Sequence, residues 1–391
     1  MSDKIFVVDD SVDNRRLLKK ALEKDNYEII EAENGLDALN LAIKILPDLI
    51  LLDIVMPEMD GFQTCQALKA NPQTKHIPVI FLSAKSETQD KIRGLEMGGA
   101  DYITKPFDRG EVLARVRTQL KILHLMKELL LKQKNLDEDL QAAAAIQQTL
   151  LPQKKKEVEG INIAWKFVPC DRIGGDIFNV VQLDENHLAF YIVDVSGHGV
   201  PGAMVTVSVS QVLQPHSGYL KRKLEHFPFY EIVSPVAVLR KLDEEYPLER
   251  FNKYFTIFYL VLDIRQGRII YSNAAHPPPV LLRQNGELEL LEQGGTIIGM
   301  DGIIPFEEEE KYLLPGDKII FYTDGVTEYL NPERNFWGTE RFYDALTKVK
   351  QEPVGSILDY IYHALQDFGQ HARVEDDISL LGLEFIAAQK V

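Results

Sequence analysis

Hydrophobic positions change their period twice along this chain. Over the first 107 residues, short apolar runs alternate with stretches of helical spacing. The runs are KIFVVD (4–9), YEIIEA (27–32), DLILLD (48–53), IPVIFLS (77–83) and DYIT (101–104). Near-continuous apolar strands separated by helices predict a five-stranded parallel sheet covered on both faces, an α/β doubly wound domain. Ligands of such sheets sit at the carboxyl ends of the strands.

From Asp108 to Leu150 there is no Pro and one Gly, Gly110. An unbroken helix there would be about 60 Å long, a length that points to a coiled coil or a signalling linker. Leu113, Val116, Leu120, Leu123 and Leu130 follow a heptad seam that Lys127 and Lys134 interrupt; the apolar phase then moves to Leu136, Leu140, Ala143 and Leu150. An imperfect seam predicts a homodimer through the linker helix. The alternative is a stripe packed on the chain's own domains.

After LLPQKKK, strands dominate: INIAWKFV (161–168), HLAFYIVDV (187–195), YFTIFYLVLDI (254–264), RIIYSNA (268–274), KIIFYTD (318–324) and DISLLGLEF (377–385). Helical stretches lie near 200–214, 235–246, 340–349 and 354–368. This pattern predicts an antiparallel sandwich with helical layers, an α+β domain. The expected domains are therefore 1–120, a coiled-coil-like helical linker at 121–152, and 153–391. The stretch 215–233 looks like an insertion beside the second domain's active site.

Composition narrows the field. Apolar residues make up 45% and charged residues 26% of 391, an ordinary globular balance. A net charge of −16 repels phosphate backbones and anionic surfaces, so neither nucleic acid nor membrane is expected as a partner. No apolar run approaches the roughly 20 residues that span a bilayer. MSDKIFVVDD carries acids where a signal peptide has a basic region. Two distant cysteines, Cys65 and Cys170, argue against a disulfide framework. A cytoplasmic location is the expectation.

Candidate chemistry sits at strand ends. Asp9 and Asp10 close the first strand, Asp53 the third and Ser83 the fourth, and Lys105 follows the fifth. Three converging carboxylates cannot all stay ionised without a cation, and oxygen-only ligands favour Mg²⁺. An ammonium and a hydroxyl beside them suit a phosphoryl group, which makes Asp53 a candidate nucleophile. VVDDS, DLILLDIVMPEMDG, IFLSA and DYITKPF resemble the CheY-like receiver domain of two-component response regulators. The resemblance implies Mg²⁺ held by Asp9, Asp10, Asp53 and the Val55 carbonyl, and phosphorylation of Asp53 by a sensor histidine kinase or phosphotransfer protein. It implies that Ser83 and Tyr102 form the switch pair, and that the Lys105–Pro106 bond is cis.

In the second half, GGDIFN (Asp176), VDVSGHG (Asp194), YTDGVTE (Asp324) and EDDIS (Asp376, Asp377) place acids beside glycine turns. Carboxylates from separate strand ends favour hard octahedral metals, and two such ions would activate a water for hydrolysis. With IQQTLLP, NAAHPPPVLL and GGTIIGM, these motifs resemble the metal-dependent serine/threonine protein phosphatase (PPM) family, in its SpoIIE/RsbU-like branch. The resemblance implies an αββα sandwich with two Mn²⁺ or Mg²⁺ ions. Asp176 and Asp194 would bridge or flank them with the Val195 carbonyl, and Asp324 and Asp376, in preference to Asp377, would hold one ion. It implies a phosphorylated STAS-type anti-sigma-factor antagonist as substrate. Asn179 stands where the branch has Asp, which bears on the outer shell of the metals, and Ala275 stands where it has Gly. His198 and His276 are candidate general acids, and Arg172 is a candidate phosphate ligand. The competing expectation is a catalytically idle, partner-binding module gated by the receiver.

Overall fold

A computed structural model describes residues 2–84, 88–152, 158–197, 199–227, 229–300, 302–372 and 374–386, with backbone alone at 88–91. The chain divides into two compact units, Met1–Leu136 and Asp137–Val391, a division that falls inside the stretch expected as linker.

The first unit runs β1 (Lys4–Val8), α1 (Val12–Leu22), β2 (Glu28–Ala32), α2 (Gly35–Ile45), β3 (Leu49–Asp53), α3 (Gly61–Ala70), β4 (Val79–Ala84), α4 (Thr88–Glu96), β5 (Asp101–Lys105) and the first part of α5 (Arg109–Gln148). Side-chain caps start three helices: Ser11 for α1, Asn34 for α2 and Asp60 for α3, the last in a reciprocal capping box with Gln63. The five strands are parallel in the order β2-β1-β3-β4-β5. Winding reverses between β1 and β3, which opens a crevice at their carboxyl ends.

The linker seam needs correction in its first half. Val112, Val116 and Leu120 are buried against Ile5, Val7 and Leu82 of the same unit, and Leu123 is buried too. These residues are occupied by the chain's own core, so they form no free pairing face. Further along, Leu125, Met126, Leu129, Leu130, Leu131 and Leu136 are exposed.

The second unit continues with β6 (Ile161–Val168), β7 (Asp176–Gln182), β8 (His187–Val195), α6 (Val200–Val212), β9 (Lys221–Lys223), β10 (Tyr230–Ile232), α7 (Pro235–Glu245), α8 (Leu248–Phe251), β11 (Phe255–Asp263) and β12 (Arg268–Ala274). It ends with β13 (Val280–Leu282), β14 (Leu288–Leu290), β15 (Gly294–Gly295), β16 (Glu309–Tyr312), β17 (Lys318–Tyr322), α9 (Asp324–Thr327), α10 (Gly338–Val349), α11 (Val354–Phe368) and β18 (Ile378–Phe385). One sheet has the order β15-β12-β11-β8-β7, with β16 also on β12; the other has β14-β13-β17-β18-β6. Apart from the short β15, which is parallel to β12, the paired strands in both are antiparallel.

Alternation along the strands sorts the side chains. Phe178, Phe190 and Phe258 of the first sheet meet Phe321, Leu381 and Leu383 of the second in one core. On the outer face of the second sheet, Ile320, Tyr322 and Leu380 pack with Phe342 of α10 and Ile357 and Ile361 of α11. The helices α6 and α7 contribute Val209, Leu239 and Leu242 to the first core. The result is the expected αββα layering.

The segment 215–233 lies elsewhere than expected. Its hairpin, β9 with β10, is tied to the β7–β8 turn: Lys221 Nζ donates to the Leu183 carbonyl at 2.6 Å and Tyr230 Oη to Asp184 at 2.9 Å. Asp176 and Asp194 close the opposite end of the same two strands. A strand of this length separates the two ends by about 20 Å, so the insertion is not beside the acids.

Candidate functional site

In the first unit Asp9 is fully buried just after β1 and Asp53 is buried at the last position of β3, while Asp10 is exposed. One oxygen from each lies within 4.8 Å of the others. Lys105 Nζ reaches Asp53 Oδ2 at 2.6 Å and Asp9 Oδ2 at 2.9 Å. Asn14 Nδ2 and the Ser11 N–H also donate to Asp9. Burial, then the charge of Asp9, holds the Asp53 carboxyl above its ordinary range, against the pull of Lys105. Ser83 and Tyr102 line one narrow crevice, and Lys105–Pro106 is cis. Val55 is exposed on the loop beyond Asp53.

The sharp turn after β3 has a steric cause. A Cβ on Gly61 would sit 2.1 Å from the Asp53 carbonyl oxygen, so only glycine lets α3 start there.

In the second unit a cavity of about 300 Å³ opens at the end of the sandwich, lined by Asp194, Val195, Thr256, Asp324, Asp376 and Asp377 among others. Asp194 arrives from β8 and Asp324 from the end of β17. Asp176, the first residue of β7, is paired in register with Asp194 but sits behind the lining. Its Oδ2 accepts from Ser379 Oγ at 2.6 Å and Thr323 Oγ1 at 2.8 Å. No lysine, arginine or histidine lines this cavity among the described residues.

Mutual repulsion follows. Burial, with Asp324, Asp376 and Asp377 adding to it, pushes the Asp194 carboxyl up to about 7. Asp176 is driven well above its ordinary value by burial, then by Asp194 and Asp377. Asp324 is raised by burial and by Glu328. Crowded buried and half-buried acids are costly, and a set of hard oxygen donors fits divalent Mg²⁺ or Mn²⁺. Among the described residues, only the Asp9–Asp10–Asp53 group packs three carboxylates within 4.8 Å; the second set surrounds a space.

The paired acids 376 and 377 do different work. Asp376 is exposed and faces the cavity, whereas Asp377 is buried and accepts from the N–H groups of Cys170 (2.8 Å), Gly175 (2.6 Å) and Asp176 (3.3 Å). Asp377 fastens the GGD turn. A Cβ on Gly174 would lie 2.4 Å from Asp377 Oδ2, and one on Gly325 would lie 2.1 Å from the Asp377 carbonyl oxygen.

Of the other candidates, none that is described lines the cavity. Arg172 pairs with Asp137 at 2.8 Å and does not line the cavity. Asn179 lies on the outer face of β7 and donates to the Leu150 carbonyl at 2.9 Å, so it belongs to no outer shell of the acids. His276 is buried with both ring nitrogens bonded to protein groups. His198 lies outside the described residues. Glu375 also lines the cavity, unanticipated from sequence.

A second residue, inside the IQQTLLP motif but given no role there, is Gln147, in the last turn of α5. Its Nε2 donates to the Gly174 carbonyl at 2.7 Å and its Oε1 accepts from the Gly174 N–H at 3.1 Å. The end of the long helix thus grips the turn that delivers Asp176.

Both halves have recognisable relatives. Residues 184–386 match Stage II sporulation protein E (SpoIIE), and residues 5–117 match the response regulator receiver domain. The chain belongs to the SpoIIE family, with a receiver domain ahead of its protein phosphatase-type domain. Response regulator PleD of Caulobacter vibrioides is 46% identical over 129 residues, 33% of this chain and 28% of that protein. The DNA-binding dual master transcriptional regulator RpaA of Synechocystis sp. is 42% identical over 118 residues, 30% of this chain and 49% of that protein. This chain therefore spans about a quarter to a half of the length of such curated relatives. The SiaA-PP2C domain of Pseudomonas aeruginosa shares the fold of the second unit at 23% identity, with a TM-score of 0.54 over 65% of this chain and 98% of that one. No helix among the described residues is long and apolar enough to cross a membrane.

Proposed function

We propose that the chain is a response regulator whose output is a metal-dependent phosphoserine/phosphothreonine protein phosphatase. Asp53 accepts phosphate from a sensor histidine kinase or phosphotransfer protein, with Mg²⁺ held by Asp9, Asp10, Asp53 and the Val55 carbonyl. Lys105 and Ser83 meet the phosphoryl oxygens, and Tyr102 moves with Ser83 in the switch. In the second unit, Asp176, Asp194, the Val195 carbonyl, Asp324 and Asp376 hold two Mn²⁺ or Mg²⁺ ions. Such a pair, when bound, supplies an activated water and a clamp for a phosphoryl oxygen. Asp377 keeps the GGD turn closed so that Asp176 and Asp194 stay paired.

One observation carries this reading: carboxylates from β8, from the end of β17 and from the loop before β18 converge on one cavity with no basic side chain in its described lining. The substrate proposed is a phosphorylated STAS-type antagonist of an anti-sigma factor, in the cytoplasm. The exposed leucines of α5 are covered by a second copy. Phosphate on Asp53 acts through α5, whose last turn holds Gly174. The test is Mn²⁺-dependent hydrolysis of p-nitrophenyl phosphate and of phosphorylated STAS proteins, with and without a small phosphodonor. Activity lost in Asp324→Asn supports the phosphatase; inactivity of the parent protein would favour an idle partner-binding module.

A further inference from the structure

His276 occupies an unusual place for a residue that touches none of the cavity acids. Its Nε2 lies 3.1 Å from the Tyr322 carbonyl oxygen. A carbonyl can only accept, so Nε2 carries the proton. In the neutral ring Nδ1 is then the acceptor, and the Thr256 hydroxyl donates to it at 2.8 Å. Burial keeps the ring neutral by pushing its pKa down to about 3.

The two partners belong to different sheets. Thr256 is on β11 and stands directly opposite Asp194 in the β8–β11 register. Tyr322 ends β17, two residues before Asp324. One planar ring therefore links the strand that neighbours Asp194 to the strand that delivers Asp324. The ring is itself fixed from behind. The Asn273 side chain accepts from the His276 N–H at 2.7 Å and donates to its carbonyl at 2.9 Å.

We propose that His276 is a positioning residue: a neutral strap across the end of the sandwich that sets the distance between the Asp194 and Asp324 carboxylates, and through it the affinity of the centre for divalent cations. This rests on the cavity being the metal centre proposed above. Neither sheet alone fixes that distance, because Asp194 belongs to the β8 ladder of one sheet and Asp324 follows β17 of the other. A neutral ring does this without placing a cation against the acids.

Mn²⁺ binding to the full chain tests the strap, by calorimetry and by electron paramagnetic resonance. All variants carry Asp10→Asn, which removes a proposed receiver ligand and keeps the two centres apart. In that parent, Asp324→Asn should abolish binding at the second centre. His276→Ala should weaken Mn²⁺ there by about 10- to 100-fold, the usual consequence of losing an outer-shell support. Thr256→Val, which deletes only the donor to Nδ1, should weaken it as well, and Thr256→Ser should restore it. If His276→Ala and Thr256→Val lower the melting temperature in EDTA yet bind Mn²⁺ as tightly as the parent, the strap is merely structural and the proposal is overturned. Should His276→Ala fail to fold, the Val and Ser variants of Thr256 decide. A parent with no Mn²⁺ site sensitive to Asp324→Asn would overturn the metal-centre reading itself, and the strap with it.

Discussion

Replacing Gln147 with alanine should uncouple the end of the long helix from the acid cavity. The side chain is 4% exposed and both arms of its amide serve Gly174. Gly174 has no room to turn elsewhere, with Asp377 Oδ2 2.4 Å from where its Cβ would be. Truncation leaves one N–H and one carbonyl buried without partners, at about 1–3 kcal/mol each. Water entering the gap relieves part of that, so the expected local loss is about 2–4 kcal/mol. At about 1.4 kcal/mol per factor of ten, the intact turn falls from dominant to roughly 30- to 700-fold less favoured than before. The assay is kcat/KM for Mn²⁺-dependent p-nitrophenyl phosphate hydrolysis beside a thermal melt. We expect at least a roughly tenfold loss of kcat/KM, because the turn delivers Asp176. Gln147→Met, of similar length without hydrogen bonds, should match alanine. Gln147→Glu should be worse, since a carboxylate oxygen would face the Gly174 carbonyl. A Gln147→Ala protein with kcat/KM within about twofold of the parent and an unchanged melt would refute this argument.

Four further outcomes are expected. Ala275 sits at φ 53°, so Ala275→Gly should stabilise the second unit by about 0.5–1 kcal/mol, read as a rise of about 2 °C in Tm; a fall would refute the strain. Asp194 is raised in the fold to about 7, so the metal-free folded state binds its proton more tightly than the unfolded chain does. That contribution is fully present at low pH and fades as pH climbs through about 7, by at most about 1.4 kcal/mol per unit. The parent should therefore lose more stability than Asp194→Asn between pH 5 and 8 in EDTA, and equal slopes would contradict this. Asp377→Asn keeps the shape but replaces one of the two oxygens that between them accept from three N–H groups; it should cost about 2–3 kcal/mol in a melt. Glutamate at both Leu129 and Leu130 should turn the proposed dimer into a monomer in analytical ultracentrifugation, and an unchanged mass would refute the proposed pairing through these leucines.

The acids at strand ends were legible because apolar runs that stop at Asp before a glycine turn leave little choice of architecture. INIAWKFV, HLAFYIVDV and RIIYSNA appear as strands with the bounds expected. The strand β7 was not anticipated, since DIFNVVQ mixes an acid and two amides into a short edge strand. The seam of α5 misled for a different reason. Periodicity shows that Val116 and Leu120 are buried, but not whether their own sheet or another helix buries them. Segment 215–233 folds against the other end of the sandwich; sequence adjacency does not say which end of a strand a later hairpin folds back onto. Gln147 and His276 bond to backbone groups 27 and 46 positions away; such partners have no side-chain signature to recognise.

The grip of Gln147 on Gly174 involves only main-chain atoms of the turn. Whatever lies upstream has merely to present one helical turn at the correct rotation and depth. A foreign sensor grafted in phase onto residue 137 would inherit the output unchanged. Deleting a single residue between 125 and 136 turns that last segment by about 100°, and should break the coupling proposed through α5 while leaving both halves folded.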